Sequence, residues 1–176
     1  MKMAQEKDAG KAFADFVRSF DAQVPEHVVI DDEFYRKDER LMQISDSVSG
    51  RINRNPSSVS LYYGRYDKRR GLFTPGFPLL EMLAGNQGGM SRKQRIMVNE
   101  KGEWLFLCKR NILESSILNA DHVRDLLSDK GVCGKDFFVV NRHDELLGMG
   151  VITLNRGSIV VKNRIDRGNF LRRERR

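Results

Sequence analysis

Apolar residues recur at three- and four-residue steps near the start of the chain: Ala9, Ala12, Phe13, Phe16, Val17 and Phe20. That stripe predicts an amphipathic helix over residues 4–20, with Lys7, Lys11, Asp15 and Arg18 turned to water. Pro25 closes the connection that follows. Short apolar runs at residues 28–30 and 34–35 fit strands. Residues 46–53 fit a short helix stopped at Asn55 and Pro56. Alternation over residues 59–63 predicts a strand with Val59, Leu61 and Tyr63 on one face. Residues 64–71 then read as a basic hairpin or loop leading to a second strand at 72–73. An apolar helix is expected over 79–84, with Pro78 tolerated in its first turn.

Residues 85–95 hold three glycines and, apart from Met90, no apolar residue. They read as a linker, and the chain is divided there into domains 1–90 and 91–176. Beyond it the pattern predicts strands at 96–98 and 104–108, with a turn at 99–102 between them. One or two helical turns are expected over 111–118 and a helix over 121–128. Strands follow at 137–140, 146–154 and 158–165, the first two joined by a polar turn at 141–145. Many short strands with few helices predict an α+β chain, a small αβ domain followed by a small mixed β-barrel.

Composition sharpens this reading. The chain has 176 residues, 40% of them hydrophobic and 31% charged, enough apolar content for a packed core. No apolar run approaches the ~20 residues that span a bilayer, and the amino terminus has no signal-peptide core, so a membrane or secreted location is not expected. The net charge is +7, and it is concentrated. Residues 45–95 carry 9 basic against 3 acidic residues, and residues 155–176 carry 8 against 2. Clustered positive charge of this kind points to a polyanion such as nucleic acid, or else to a solvated face.

The last strand is the most informative. Alternation puts Ile159, Val161, Asn163 and Ile165 on one side and Val160, Lys162 and Arg164 on the other. The two cations would stand about 7 Å apart, with Arg156 before them and Arg167, Arg172 and Arg173 after. An edge strand guarded by charge would look the same. A second basic group, Arg65, Lys68, Arg69 and Arg70, has Tyr62, Tyr63 and Tyr66 nearby. It fits base stacking less well than core tyrosines beside a solvated loop. Lys109 and Arg110 point at phosphate or simply solvate a loop. His27, His122 and His143 are scattered, and Cys108 lies in an apolar run where a thiol acts as a small hydrophobe. Cys133 sits between glycines, and the cluster Asp31, Asp32 and Glu33 reads as a solvated turn. No nucleophile, metal or cofactor constellation is visible, so neither catalysis nor a cofactor is expected.

The stretches RIMVNEKGEWLFLCKRNIL, FFVVNRHDELLGMGVITL and IVVKNRIDRGNFLRRE resemble a PUA domain, an RNA-binding pseudo-β-barrel. LYYGRYDKRRGLFTPGFPLLEMLA looks like the segment preceding that domain in the nuclear-import-protein-seven family of large-subunit ribosome biogenesis factors. Asp166, Gly168, Phe170 and Arg172 fall on the same family's closing pattern. The resemblance covers roughly residues 59–174 and implies a non-catalytic factor in pre-rRNA processing and large-subunit assembly. Implied partners are RNA, including uridine-rich single strands, and pre-ribosomal particles with other assembly factors. A monomer is expected. RNA contact is implied around Arg156, Lys162 and Arg164, with Arg167, Arg172, Lys109 and Arg110 as further candidates. The short connection at residues 155–157 suggests an archaeal-type member and a cytoplasmic location; a eukaryotic member would be nucleolar. Lys109 and Arg110 replace a smaller pair, and Leu154 stands where a lysine is often found. Alternatives are a PUA-containing RNA-modification enzyme or accessory subunit, and a PUA-containing translation factor.

Overall fold

In the computed structural model, helix α1 (Lys2–Arg18) opens the chain. Its described side chains follow the expected stripe: Phe13, Val17 and Phe20 are buried, while Lys11, Asp15 and Arg18 are exposed. The structure describes residues 2–20, 34–37, 40–43, 61–67, 69–85, 94–128 and 135–168. The expectations for residues 28–30 and 46–53, and for His27, Asp31, Asp32, Glu33, Lys68, Cys133, Arg172 and Arg173, lie outside them. Two units divide the chain, Met1–Gly89 and Met90–Arg176.

In the first unit, β1 (Phe34–Lys37), β2 (Arg40–Gln43), β3 (Leu61–Asp67) and β4 (Leu72–Pro75) form an antiparallel sheet in chain order. The stretch expected as a basic loop from residue 64 is strand as far as Asp67, and only then does the chain turn. Asp67 Oδ1 builds that turn by accepting from the backbone N–H of Arg69 at 2.9 Å and Arg70 at 3.2 Å. Helix α2 (Phe77–Gly85) carries Pro78 in its first turn and buries Leu79, Leu80 and Leu83. Aromatic rings join helix to sheet: Phe13 stands edge-on to Phe73 with centroids 5.5 Å apart and meets Tyr63 at 5.8 Å. Such pairs add about 0.5–1.5 kcal/mol beyond the area they bury.

The second unit runs β5 (Arg95–Met97), α3 (Glu100–Leu107), β6 (Ile112–Leu113), a 3-10 turn (Glu114–Ser116), α4 (Ala120–Ser128), β7 (Asp136–Val140), β8 (Leu146–Asn155) and β9 (Ser158–Asp166). Sheet order is β5-β7-β8-β9-β6, with β5 and β7 parallel and the other pairs antiparallel. The fold is thus α+β, the five strands curling into half a barrel. Alternation sends Phe137, Val139, Ile152, Ile159 and Val161 to one face, where they pack with Phe106 of α3 and Val123 of α4. The Asn119 amide completes the edge of β5, its Oδ1 accepting from Met97 N and its Nδ2 donating to Arg95 O, both at 2.9 Å.

Two expectations are overturned here. Residues 104–108 are helical, not a strand, and the supposed turn at 99–102 is that helix's start. Asn99 caps it, in extended conformation, with its Oδ1 accepting from Gly102 N at 2.9 Å. Glu100 and Glu103 favour the positive end of the helix dipole. These end effects, with the packing of Phe106, outweigh the strand preference of a Trp-Leu-Phe-Leu run. Cys108 therefore ends α3 as an exposed thiol rather than a buried one. Residues 111–118 form β6 and the 3-10 turn instead of α-helical turns, because Ile112 and Leu113 pair with Val161 and Val160 of β9.

Candidate nucleic-acid interface

Strand β9 presents the faces its alternation requires: Ile159 and Val161 are buried, while Lys162 and Arg164 are exposed. Position 162 lies opposite Val151, which lies opposite Asp136. Lys162 and Asp136 therefore share one cross-strand row on the face away from α3. Lys162 has no ion-pair partner among the described residues. Arg164 has one, since its Nε stands 3.6 Å from Asp136 Oδ1. Burial pushes the Asp136 carboxyl up from its ordinary range, and the Arg164 guanidinium pulls it partly back. A carboxylate in the cation patch is a feature that charge counting along the sequence missed. Its signal was available: Asp136 alternates with Phe138 and Val140, which puts it on their face.

A register shift between Met149 and Gly150 leaves Arg164 as the extra residue on β9, and such bulges re-aim a side chain. Gly148 makes this possible. Its φ is 152°, and a Cβ there would lie 2.0 Å from the Ile165 carbonyl oxygen. Strand β6 pairs with β9 only at Val160 and Val161. No described strand flanks Lys162 on the side away from β8.

Asn163, between the two cations, turns inward. Its Nδ2 donates to the Phe106 carbonyl at 2.7 Å. That carbonyl also accepts from Lys109 N at 2.9 Å, and Leu105 O accepts from Arg110 N at 2.9 Å. The last two bonds form a Schellman motif ending α3, with Lys109 in the left-handed position at φ 62° that glycine usually takes. One carbonyl thus anchors both the Lys109–Arg110 pair and the middle of the cationic segment of β9. The two cations after α3 also face the negative end of its dipole.

Arg156 stands apart, in the two-residue turn joining β8 to β9. Arg156 at φ 50° and Gly157 at φ 84° both adopt positive φ, as in a type I′ turn. Arg167, exposed, begins beyond β9, where its backbone N–H donates to Leu147 O at 2.9 Å. Arg172 lies outside the described residues. The structure therefore brings the backbone of Lys109 and Arg110 to Asn163 on the inward side of β9, stands Lys162 and Arg164 on its outward side, and sets Arg156 at the far end of the strand.

The first unit's basic group gains no stacking aromatics from its described tyrosines. Tyr63 and Tyr66 are buried, while Arg65, Arg69 and Arg70 are exposed, and Arg70 lies 3.8 Å from Asp67. His122 is half-buried and His143 exposed. Among the described residues no three His, Cys, Asp or Glu side chains gather to hold a metal ion. None of their helices is long and apolar enough to cross a membrane.

Residues 94–175 match the model of the UPF0113 PUA domain. The match covers nearly all of the second unit. A UPF0113 protein of Archaeoglobus fulgidus is 32% identical over 91 residues, which is 47% of this chain and 48% of that protein. The matched stretch spans about half the length of that curated relative. A hypothetical protein from the hyperthermophilic archaeon Pyrococcus horikoshii OT3, known from its crystal structure, is similar over 90% of each chain, with a TM-score of 0.46 and 16% identity. Lys109, Arg110, Arg156, Lys162, Arg164 and Arg167 all lie within the matched residues.

Proposed function

We propose that this protein binds RNA through the β9 face of its PUA domain, using Lys162, Arg164, Lys109 and Arg110 together with Arg156, Arg167 and Arg172. It acts without catalysis in ribosome biogenesis, in pre-rRNA processing and large-subunit assembly, as the nuclear-import-protein-seven family does. The observation that carries the reading is the pair of exposed cations Lys162 and Arg164 on the outward face of β9, with exposed Lys109 and Arg110 at the end of α3, within a domain matched as PUA. Affinity comes mainly from phosphate neutralisation, with modest base preference. Four to six phosphate contacts on a single strand give a log–log salt slope of roughly −3 to −4.

Filter binding of the full chain to single-stranded RNA over a salt series tests the binding, and a slope near zero refutes it. Crosslinking in the protein's own cells, followed by sequencing of the attached RNA, tests the biological role. Large-subunit rRNA precursors are the expected catch. Recovery of small-subunit RNA or initiator tRNA instead makes it a translation factor. A new modification in rRNA incubated with the protein, detected by mass analysis, makes it an enzyme.

A further inference from the structure

Helix α3 has a solvent face that Lys162 and Arg164 do not share. Gly102 and Phe106 point into the core, and Trp104, two positions from each, falls on the opposite side. Trp104 is 60% exposed. It is also the only tryptophan in the chain. Its neighbours on that face are Lys101, three residues before, and Cys108, four residues after, both exposed. Glu100, one turn before, is occupied by Arg142, whose Nη1 lies 3.0 Å from its Oε1. The helix then ends in Lys109 and Arg110, also exposed.

A large exposed aromatic with one cation on its own helix face and two more just past the helix end suits one kind of occupant. Its flat face meets the flat face of an unpaired base, and the cations meet the phosphates on either side. Lys109 adds an independent sign. Its left-handed backbone would be adopted by glycine without strain, yet the position holds a long exposed cation, five residues after Trp104. Strained positions of this kind cluster where a ligand is held.

We propose that Trp104 is a stacking platform for one base of single-stranded RNA, with Lys101 on one side and Lys109 and Arg110 on the other taking adjacent phosphates. The proposal rests on the RNA-binding reading above and extends it round the end of α3, away from the Lys162 face.

The lone tryptophan makes the test direct. The full chain is titrated with a single-stranded oligouridylate of about 12 nucleotides, within the ~4–16 nucleotides that an OB fold covers. Tryptophan emission and the anisotropy of end-labelled RNA are read together. Binding should quench the emission, and an abasic oligonucleotide of equal charge should bind without quenching. Trp104→Ala should weaken binding roughly 10-fold while leaving the salt slope unchanged, since it removes a stack and no charge. Trp104→Phe should restore part of the loss. RNA that binds without quenching, with Trp104→Ala binding as the parent does, overturns the platform and leaves the RNA-binding reading standing. Absence of any anisotropy change overturns both. An equal loss in Trp104→Ala and Trp104→Phe, accompanied by a lowered unfolding midpoint, also overturns it and makes the indole structural.

Discussion

Replacing Asp136 by Asn tests what the acid does within the cation patch. Asp136 Oδ1 is buried, makes no hydrogen bond among the described residues, and stands 3.6 Å from Arg164 Nε. At that distance the attraction is about 1 kcal/mol in water and about 5 kcal/mol at an effective dielectric of 20. The Arg164 side chain is 58% exposed, which puts the pair near the lower end, at about 1 kcal/mol or less. The desolvation of Asp136 opposes it. Asp136→Asn should therefore change stability by less than about 1 kcal/mol. It should also release Arg164 toward phosphate, steepening the salt slope by up to ~0.7 for a single strand. Arg164→Ala behaves differently, because it leaves a half-buried carboxylate with no ion-pair partner among the described residues. It should cost about 1 kcal/mol or more, recovered in the Asp136→Asn/Arg164→Ala double variant. Urea denaturation and filter binding of the four proteins complete the cycle. A shallower slope in Asp136→Asn refutes the idea that Arg164 faces RNA. pH supplies a further check. Because burial raises this carboxyl above its ordinary value of 3.8, the folded chain holds the proton more tightly than the unfolded chain. The group then costs nothing below that value, and stability falls as pH rises past it toward the raised value. That fall should be absent from Asp136→Asn.

Lys162→Ala removes an exposed cation with no ion pair among the described residues, so it should flatten the salt slope by ~0.7 and shift stability by less than about 0.5 kcal/mol; an unchanged slope would exclude Lys162 from the interface. Lys109→Gly and Lys109→Ala remove the same charge, but only glycine relieves the left-handed backbone. The glycine variant should be about 0.5–1 kcal/mol more stable than the alanine variant by urea midpoint, while both bind RNA more weakly than the parent. Gly148→Ala drives a Cβ into the Ile165 carbonyl at positive φ and should cost about 3 kcal/mol or more. A normal denaturation midpoint in that variant would show that the bulge under Arg164 tolerates a side chain.

Much of the chain was legible in local pattern. Alternation along residues 158–165 assigned inward Ile159 and Val161 and outward Lys162 and Arg164, because side-chain direction in a strand has a period of two whatever its neighbours are. The stripe of α1, the polar turn between β7 and β8, and the helix at 121–128 followed in the same way. Pattern failed at 104–108, where four apolar residues in a row carry no period and a side chain five residues upstream, Asn99, decided for helix. That decision brought Trp104 to the surface, since a strand would have put it on the same side as buried Phe106. Nor does any spacing along the chain bring Phe106 to Asn163, 57 residues away, or Asp136 to Arg164. Composition and local periodicity determined a basic chain of α+β type and the faces of its elements. Which cations share a surface, and which of them faces a carboxylate, was decided by strand register and helix ends, whose contacts form between residues distant in the chain.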